Sequence, residues 1–315
     1  MPIHIYIFRR LLHLVPVLFI TSFLVFSIVL LLPGDPTLAI LGDQASQEER
    51  EIMRERLGLD QPIPFQYARW LGNVLSGDFG RSLRTQEPVA DMLAARIPVT
   101  VQLTLMSILL SIAIGVPAGV AAALKRNSWV DFSASSIAIV GVALPYFWAG
   151  ILLIMLFSLT LRWLPPSGYV PFTTDPLQSL KLMIMPTLTI GTAMAALVMR
   201  QTRTSMLQVL NQDFVRTARA KGVDEYRVVV HHALRNALIP VVTVVGLQTG
   251  ALVSGAVVTE TIFSLPGLGR MMVEGIFERD LAPVQAAILV VVVGVLLVNL
   301  ATDICYAALD KRIKL

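Results

Sequence analysis

The sequence predicts an all-α membrane protein with six transmembrane helices, and three observations carry that prediction. Apolar runs of about 20 residues recur along the chain, the length a helix needs to cross a hydrocarbon core of roughly 30 Å. Only 15% of the 315 residues are charged and 55% are hydrophobic, with a mean hydropathy of +0.72, whereas about a quarter of a soluble domain is charged. The basic residues gather in alternate connections, as the positive-inside rule requires of a polytopic protein.

The first span covers about 11 to 32. Its apolar stretch from Leu11 to Leu32 exceeds the roughly 7 to 15 residues of a secretory signal core, and no small-x-small cleavage site closes it. It is therefore expected to be retained. Residues 33–98 are expected to form an elaborated extracytoplasmic loop region: in SQEEREIMRERLGL, Ile52, Leu57 and Leu59 offer too few apolar positions for an independent core. A five-helix core over 99–305 follows, with spans at about 99–124, 132–161, 184–205, 237–259 and 283–305. Pro145, in VALPYFW, should kink the long third span. Residues 306–315 are a short tail.

Arg9 and Arg10, Lys125 and Arg126, the basic loop 206–236, and Lys311, Arg312 and Lys314 all fall on one side of this topology. That side reads as cytoplasmic, with both termini there. The other side receives 33–98, 162–183 and 260–282.

Little in the chain supports bond-making chemistry. Gly-Lys never occurs, so the phosphate-cradling Walker A loop is absent. PGLGRMM (266–272) lacks the third glycine and preceding strand of a dinucleotide loop. His231 and His232, adjacent on a helix, point about 100° apart and make a poor metal pair. Cys305 is the single cysteine, which excludes intrachain disulfides and thiolate metal clusters. Ser254 could serve an intramembrane hydrolase, but no histidine lies in the last three spans to activate it. The net charge of +4 is distributed for a lipid bilayer and not for nucleic acid. Among polar residues within or beside spans (Gln102, Gln248, Glu260, Gln285, Asn299, Asp303), Gln248 and Asn299 are the candidates for a hydrophilic pathway. Interhelical hydrogen bonding is the plainer role for both. Asp303, near the cytoplasmic end, could be satisfied by a nearby arginine.

The basic loop is more specific. Asp213 is expected to cap a helix FVRTARAK, Gly222 to end it in a left-handed turn, and Asp224 to cap a second helix running to Pro240. Ala218 and Ala220 keep the first helix slim while Arg216, Arg219 and Lys221 project around it. Such a helix could fit a groove in another protein; a topogenic loop or an anionic-lipid contact would account for the charge equally well.

The spacing resembles the E-A-A-x-x-x-G-x(9)-I-x-L-P loop of ABC-importer permeases. Ala218 and Gly222 match its second alanine and its glycine, and Leu234 its leucine. Arg216 replaces the glutamate, Thr217 the first alanine, His232 the isoleucine and Arg235 the proline. These departures, with RTARAKG, HALRNALIP, RRLLHLVPVLF, LPGDP, LGLDQP, GDFGRS and ETIFSLPGLGR, resemble the peptide branch of the dipeptide/oligopeptide/nickel permeases over nearly the whole chain.

The resemblance implies a type I ABC importer permease fold in a prokaryotic cytoplasmic membrane. The partners would be a second homologous permease, giving a heterodimer, two ATPases holding ATP and Mg, and an extracytoplasmic solute-binding protein. Arg216, Thr217, Ala218, Arg219, Ala220, Lys221, Gly222 and Val223 would form the ATPase-coupling helix and its turn. Glu260, Phe263, Pro266, Gly267 and Gly269 would belong to a loop at the outer mouth of the pathway. The chain itself would hold no cofactor or metal and catalyse no reaction. Its solute would be a di- or oligopeptide, with glutathione or a nickel chelate as the alternative, and an intramembrane enzyme as the rival from another class.

Overall fold

A computed structural model describes residues 3–31, 46–57 and 60–309. Lys311, Arg312, Lys314, the LPGDP motif and the side chain of Ser254 lie outside the described residues. Every long element among those described is a helix: α1 (Ile3–Leu31), α2 (Gln47–Leu57), α3 (Ile63–Leu75), α4 (Val89–Leu124), α5 (Trp129–Ala143), α6 (Tyr146–Leu153), α7 (Pro176–Leu210), α8 (Asp213–Ala220), α9 (Glu225–Arg227), α10 (Arg235–Ile262), α11 (Leu268–Phe277) and α12 (Leu281–Leu309). π-helical turns extend α6 through Ile154–Thr160 and join α9 to α10 through Val228–Leu234.

Among the described residues five helices are long and apolar enough to cross a membrane, and α5 with α6 makes a sixth when the bent pair is counted as one span. The kink predicted at Pro145 is in fact a break, the two halves standing 104° apart. Pro145 has no N–H to continue α5 and disfavours α geometry in the residue before it. Leu144 accordingly takes φ −77°, ψ 123°, and Pro145 itself is extended.

The chain divides into two compact units. One comprises Met1–Leu11, Pro98–Arg270 and Val295–Leu315. Its spine is α7, which packs against α5, α6 and α10. Pro176 opens α7 behind Asp175, whose side chain accepts from the Gln178 N–H at 3.0 Å, so the helix starts well before the apolar run that predicted it. At 35 residues it is about 52 Å long, more than a hydrocarbon core needs. Val99, Leu103, Met183, Ile190, Val198 and Phe263 belong to the buried core of this unit.

Asp131 on α5, 5% exposed, receives Nε and Nη2 of Arg203 on α7 at 2.5 and 2.8 Å, and the Asn127 N–H at 3.0 Å. Neither partner stood out in the sequence. Arg203→Leu leaves the carboxylate buried without its cation and should cost about 2–3 kcal/mol, seen as a lowered melting temperature in detergent. Equal melting of variant and wild type would show the pair to be dispensable.

The second unit comprises Leu12–Ile97 and Met271–Gly294. Tyr67 of α3 is 6% exposed, its hydroxyl 2.7 Å from Ser22 Oγ, with the rings of Phe19, Phe23 and Phe26 at centroid distances of 5.3–5.6 Å. Ser46 and Glu49 form a capping box at the start of α2. The Ser46 N–H and then its hydroxyl donate to Glu49 and hold that carboxyl below its usual range. Asp280 accepts from Ser82 Oγ at 2.5 Å and from the Leu83 N–H at 3.0 Å, fastening the turn that follows GDFG.

Candidate functional site

The basic loop 213–234 is built on a buried apolar underside. Val215 and Ala218, three residues apart, share one face of α8. They pack with Val228, Val229, Ala233 and Ala237 against Met206 and Val209 of α7 and Ala123 of α4. Ala218 lies 9% exposed beneath the helix. This burial explains one correction: Gln212, not Asp213, occupies the N-cap, without a side-chain cap bond, and Asp213 is the first helical residue. Burial of Val215 sets the register of so short a helix, and Asp213 still meets the positive end of its dipole. Arg216 lies 3.6 Å from Asp213, both side chains largely exposed.

Gly222 ends α8 as predicted, with φ +74° and open space where a Cβ would stand. Its N–H donates to Arg219 O at 2.9 Å, and the Val223 N–H reaches back to Ala218 O at 3.2 Å. These are the two bonds of a Schellman motif, whose usual apolar contact is here Val223 with Ala218. Asp224 caps the next turn through the Tyr226 N–H at 3.1 Å. Arg219 forks onto Glu225 at 3.0 and 2.6 Å, bracing the turn from outside. Arg216, Thr217, Arg219, Ala220 and Lys221 face outward, and Val223 is half-buried.

Two aromatics that sequence reasoning passed over share this region, Phe214 at 37% and Tyr226 at 71% exposure. The sequence carried their signal, since aromatic residues are enriched at protein interfaces relative to the rest of the surface. From Arg227 the π-helical turn runs without interruption into α10, so the part of the basic loop from Glu225 onward and the fifth span form one continuous element, which the turn at 221–224 joins to α8. His231 and His232 are exposed on that turn.

At the far end of α10, Glu260 is fully buried. Its Oε1 accepts from Thr100 Oγ1 at 2.6 Å and its Oε2 from the Arg270 N–H at 3.0 Å, while Thr100 Oγ1 accepts from the Leu268 N–H at 2.9 Å. The carboxylate thus sits on the N-terminus of α11, where the dipole favours negative charge. Gly267 and Gly269 leave room for it: a Cβ on Gly267 would overlap the carboxylate, and one on Gly269 would stand 3.0 Å from Oε2. Phe263 is buried in the core, and its carbonyl accepts from the Gly168 N–H at 3.2 Å. Of the five residues assigned to this loop, Pro266 alone is exposed.

Gln248 is half-buried and Asn299 exposed, and neither side chain is hydrogen-bonded to another described residue. Asn299 falls in register between Val295 and Thr302, which face Gly250 and Gly246 of α10. Asp303 receives Arg10 Nη2 at 3.1 Å, the arginine that its position called for. Gln102 bonds Ser179 at 3.0 Å and Gln285 the carbonyl of Val25 at 3.1 Å, so these two are tied into packing.

Apolar candidate spans with a short basic helix braced against the start of one of them give the chain the build of a membrane transport component. The chain belongs to the family of binding-protein-dependent transport system inner membrane components. It matches that family over residues 115–315, and the N-terminal region of the same membrane components over residues 3–104. A Brucella abortus (strain 2308) protein named as a peptide transport system permease is 44% identical over 308 residues. The glutathione transport system permease protein GsiC of Escherichia coli (strain K12) is 45% identical over 309 residues. Each alignment covers 98% of both chains. The MetNI methionine ABC transporter, solved in inward-facing conformations, has a chain with a TM-score of 0.58 at 18% identity, covering 70% of this chain and 97% of that one. An amino acid ABC transporter solved with histidines gives 0.51 at 12%, covering 69% and 94%. At such identities the likeness is one of fold.

The protein is therefore a multi-pass permease subunit of an ABC importer and not an enzyme, which removes the intramembrane-hydrolase alternative. Family membership implies work alongside another permease, ATPases and a binding protein.

Proposed function

We propose that this chain forms half of the translocation pathway of a small-peptide importer and is driven by two ATPases docking on α8 and the Gly222 turn. The observation that carries the reading is the bracing of α8 against the helix that becomes the fifth span: Arg219 forks onto Glu225, and Val215 and Ala218 pack with Val228, Val229 and Ala233. Movement imposed on Arg216–Val223 is passed across the short turn at 221–224 by these contacts to the helix running from Glu225 to Ile262, as rigid-body switching between inward- and outward-open forms requires. The dock and both termini face the cytoplasm. A second homologous permease completes the pathway, ATP and Mg reside in the ATPases, and the binding protein delivers solute to the opposite face, where Glu260–Gly269 lies. Arg216, Lys221, Phe214 and Tyr226 supply the anchoring that a glutamate gives in the commoner loop sequence. Two relatives at about equal identity are named for peptide and for glutathione transport. Glutathione is itself a tripeptide, so a small peptide satisfies both.

The test is a matched pair at Gly222 in the reconstituted full transporter. At φ +74° a β-branched residue is disfavoured by about 1–2 kcal/mol, whereas asparagine tolerates the left-handed region. Gly222→Val should lose at least about tenfold of peptide-stimulated ATPase activity and uptake, at about 1.4 kcal/mol per factor of ten, with the subunits still assembled. Gly222→Asn should stay within about twofold. Wild-type coupling in Gly222→Val would remove the dock from this turn.

A further inference from the structure

We infer that the break between α5 and α6 is a wetted contact site for the transported solute, where unpaired backbone groups take the backbone of a small peptide. The inference rests on the peptide reading above and adds the place of contact.

In an unbroken helix the carbonyls of Gly141, Val142, Ala143 and Leu144 would each accept from the N–H four residues on. Here Pro145 has no N–H, and the chain turns through 104°. Trp148 and Ala149 both donate to the Pro145 carbonyl, each at 3.1 Å. Among the described residues, those four carbonyls then accept no hydrogen bond, and the N–H groups of Tyr146 and Phe147 donate none. The break falls within a segment that passes as a membrane span only with both halves together. Each unpaired group would cost several kcal/mol against lipid, so irregular backbone at this depth must face protein or water.

The surroundings show where the water can be. A cleft of about 230 Å³ opens at the break, with Val142–Tyr146 on one wall and Ala193 and Leu197 of α7 on the other. The small side chains of Ala143 and Ala193 leave the backbone approachable. Tyr146 lays its ring over Gly255 of α10, where a Cβ would stand 3.4 Å away. Gln248, seven residues earlier, lies on the same face of α10 about 10 Å nearer the basic loop. Its amide is not bonded to another described residue. The break, lying beside Gly255, and the Gln248 amide thus place uncommitted polar groups along one side of the fifth span.

The chemistry of the wall selects its ligand. It offers neutral acceptors and donors beside apolar surface, and no charge. Peptide backbone carries the complementary N–H and C=O groups whatever its side chains, so the wall holds peptides of varied sequence loosely, as passage requires.

The test uses thiol accessibility in the assembled transporter. With Cys305 replaced by serine, single cysteines are placed at Ala143, at Tyr146 and, as a reference, at Ile137, which is 71% exposed on α5. Membrane vesicles are treated with a membrane-impermeant cationic methanethiosulfonate, with and without trialanine, binding protein and ATP. Only variants that co-purify with their partner subunits are read. Because the reactive thiolate forms in water and not in lipid, Ala143→Cys and Tyr146→Cys should react at least about tenfold faster than Ile137→Cys. Turnover with trialanine should slow both. Reaction as slow as at Ile137 would place the break against lipid or another subunit and overturn the site. Fast labelling indifferent to trialanine during measured uptake would overturn solute contact there. Trialanine uptake by the unaltered transporter is followed in parallel: its absence would sink the peptide reading, and the comparison with Ile137 would still decide whether the break lines the pathway.

Discussion

Gly119→Leu should leave the chain unable to accumulate as a folded subunit, the most severe outcome expected of any single substitution in the bundle. Gly115 and Gly119 stand four residues apart on α4 and let its backbone meet α7 directly. A Cβ on Gly119 would lie 2.6 Å from the Met199 carbonyl oxygen and from Thr202 Cβ; on Gly115 it would lie 2.7 Å from the Ala195 carbonyl oxygen. Gly191 answers from α7, close to the Ser107 carbonyl. Within a membrane, helices gain little from excluding apolar surface, so close van der Waals contact between small residues is what holds them together. The obstacle to a larger residue here is backbone, which cannot rotate aside. Overpacking against side chains costs about 1–3 kcal/mol; separating two backbones along a shared face should exceed about 4 kcal/mol, beyond the ordinary range for point mutants. The measurement is thermal melting by size-exclusion chromatography in mild detergent. Gly72→Leu is the control, since nothing lies within 4 Å of a Cβ there. A Gly119→Leu protein that melts with the wild type would show the helices free to part.

The spans were legible because membrane length and apolar run length are tied by the bilayer. The punctuation of the basic loop was legible because Gly222 and Asp224 act within two residues of themselves. Pro145 announced a disturbance, yet its size depended on what α5 and α6 each pack against, which no local pattern records. Asp131 and Arg203 are 72 positions apart, and neither looks unusual alone. Ala218 and Ala220 are equally small and both keep α8 slim, but only the fold shows that Ala218 packs inward while Ala220 stays exposed. Asp213 missed the cap by one residue because Val215, buried to 0% exposure, governs the register. Glu260 was read as a loop residue from its neighbours Pro266 and Gly267, although it belongs to the end of a helix.

Glu260→Ala should be the next most damaging change, and its ranking against Glu260→Gln tests how the turn after α10 is held. The carboxylate accepts from Thr100 on one oxygen and from the Arg270 N–H on the other, and the Leu265 N–H returns to the Glu260 carbonyl at 2.8 Å. One residue thus closes the end of α10, anchors the SLPGLG turn and neutralises the start of α11. Alanine removes both acceptors and strands buried donors, at about 3–5 kcal/mol for charge-assisted bonds lost from a closed site. Glutamine keeps the shape and one acceptor but turns an N–H₂ toward a donor, so about 1–3 kcal/mol is expected. The turn should open in proportion, read as proteolytic cleavage between Ser264 and Leu268 and as a fall in melting temperature, alanine exceeding glutamine. A Gly267→Ala chain, whose new methyl would overlap the carboxylate, should reproduce the opening with Glu260 intact. That result would locate the effect in the carboxylate's seat and not in the loss of charge alone. Were Glu260→Ala to resist protease as wild type does, the turn would be held by its apolar residues Phe263, Leu265 and Leu268, all at most 3% exposed, and not by the carboxylate.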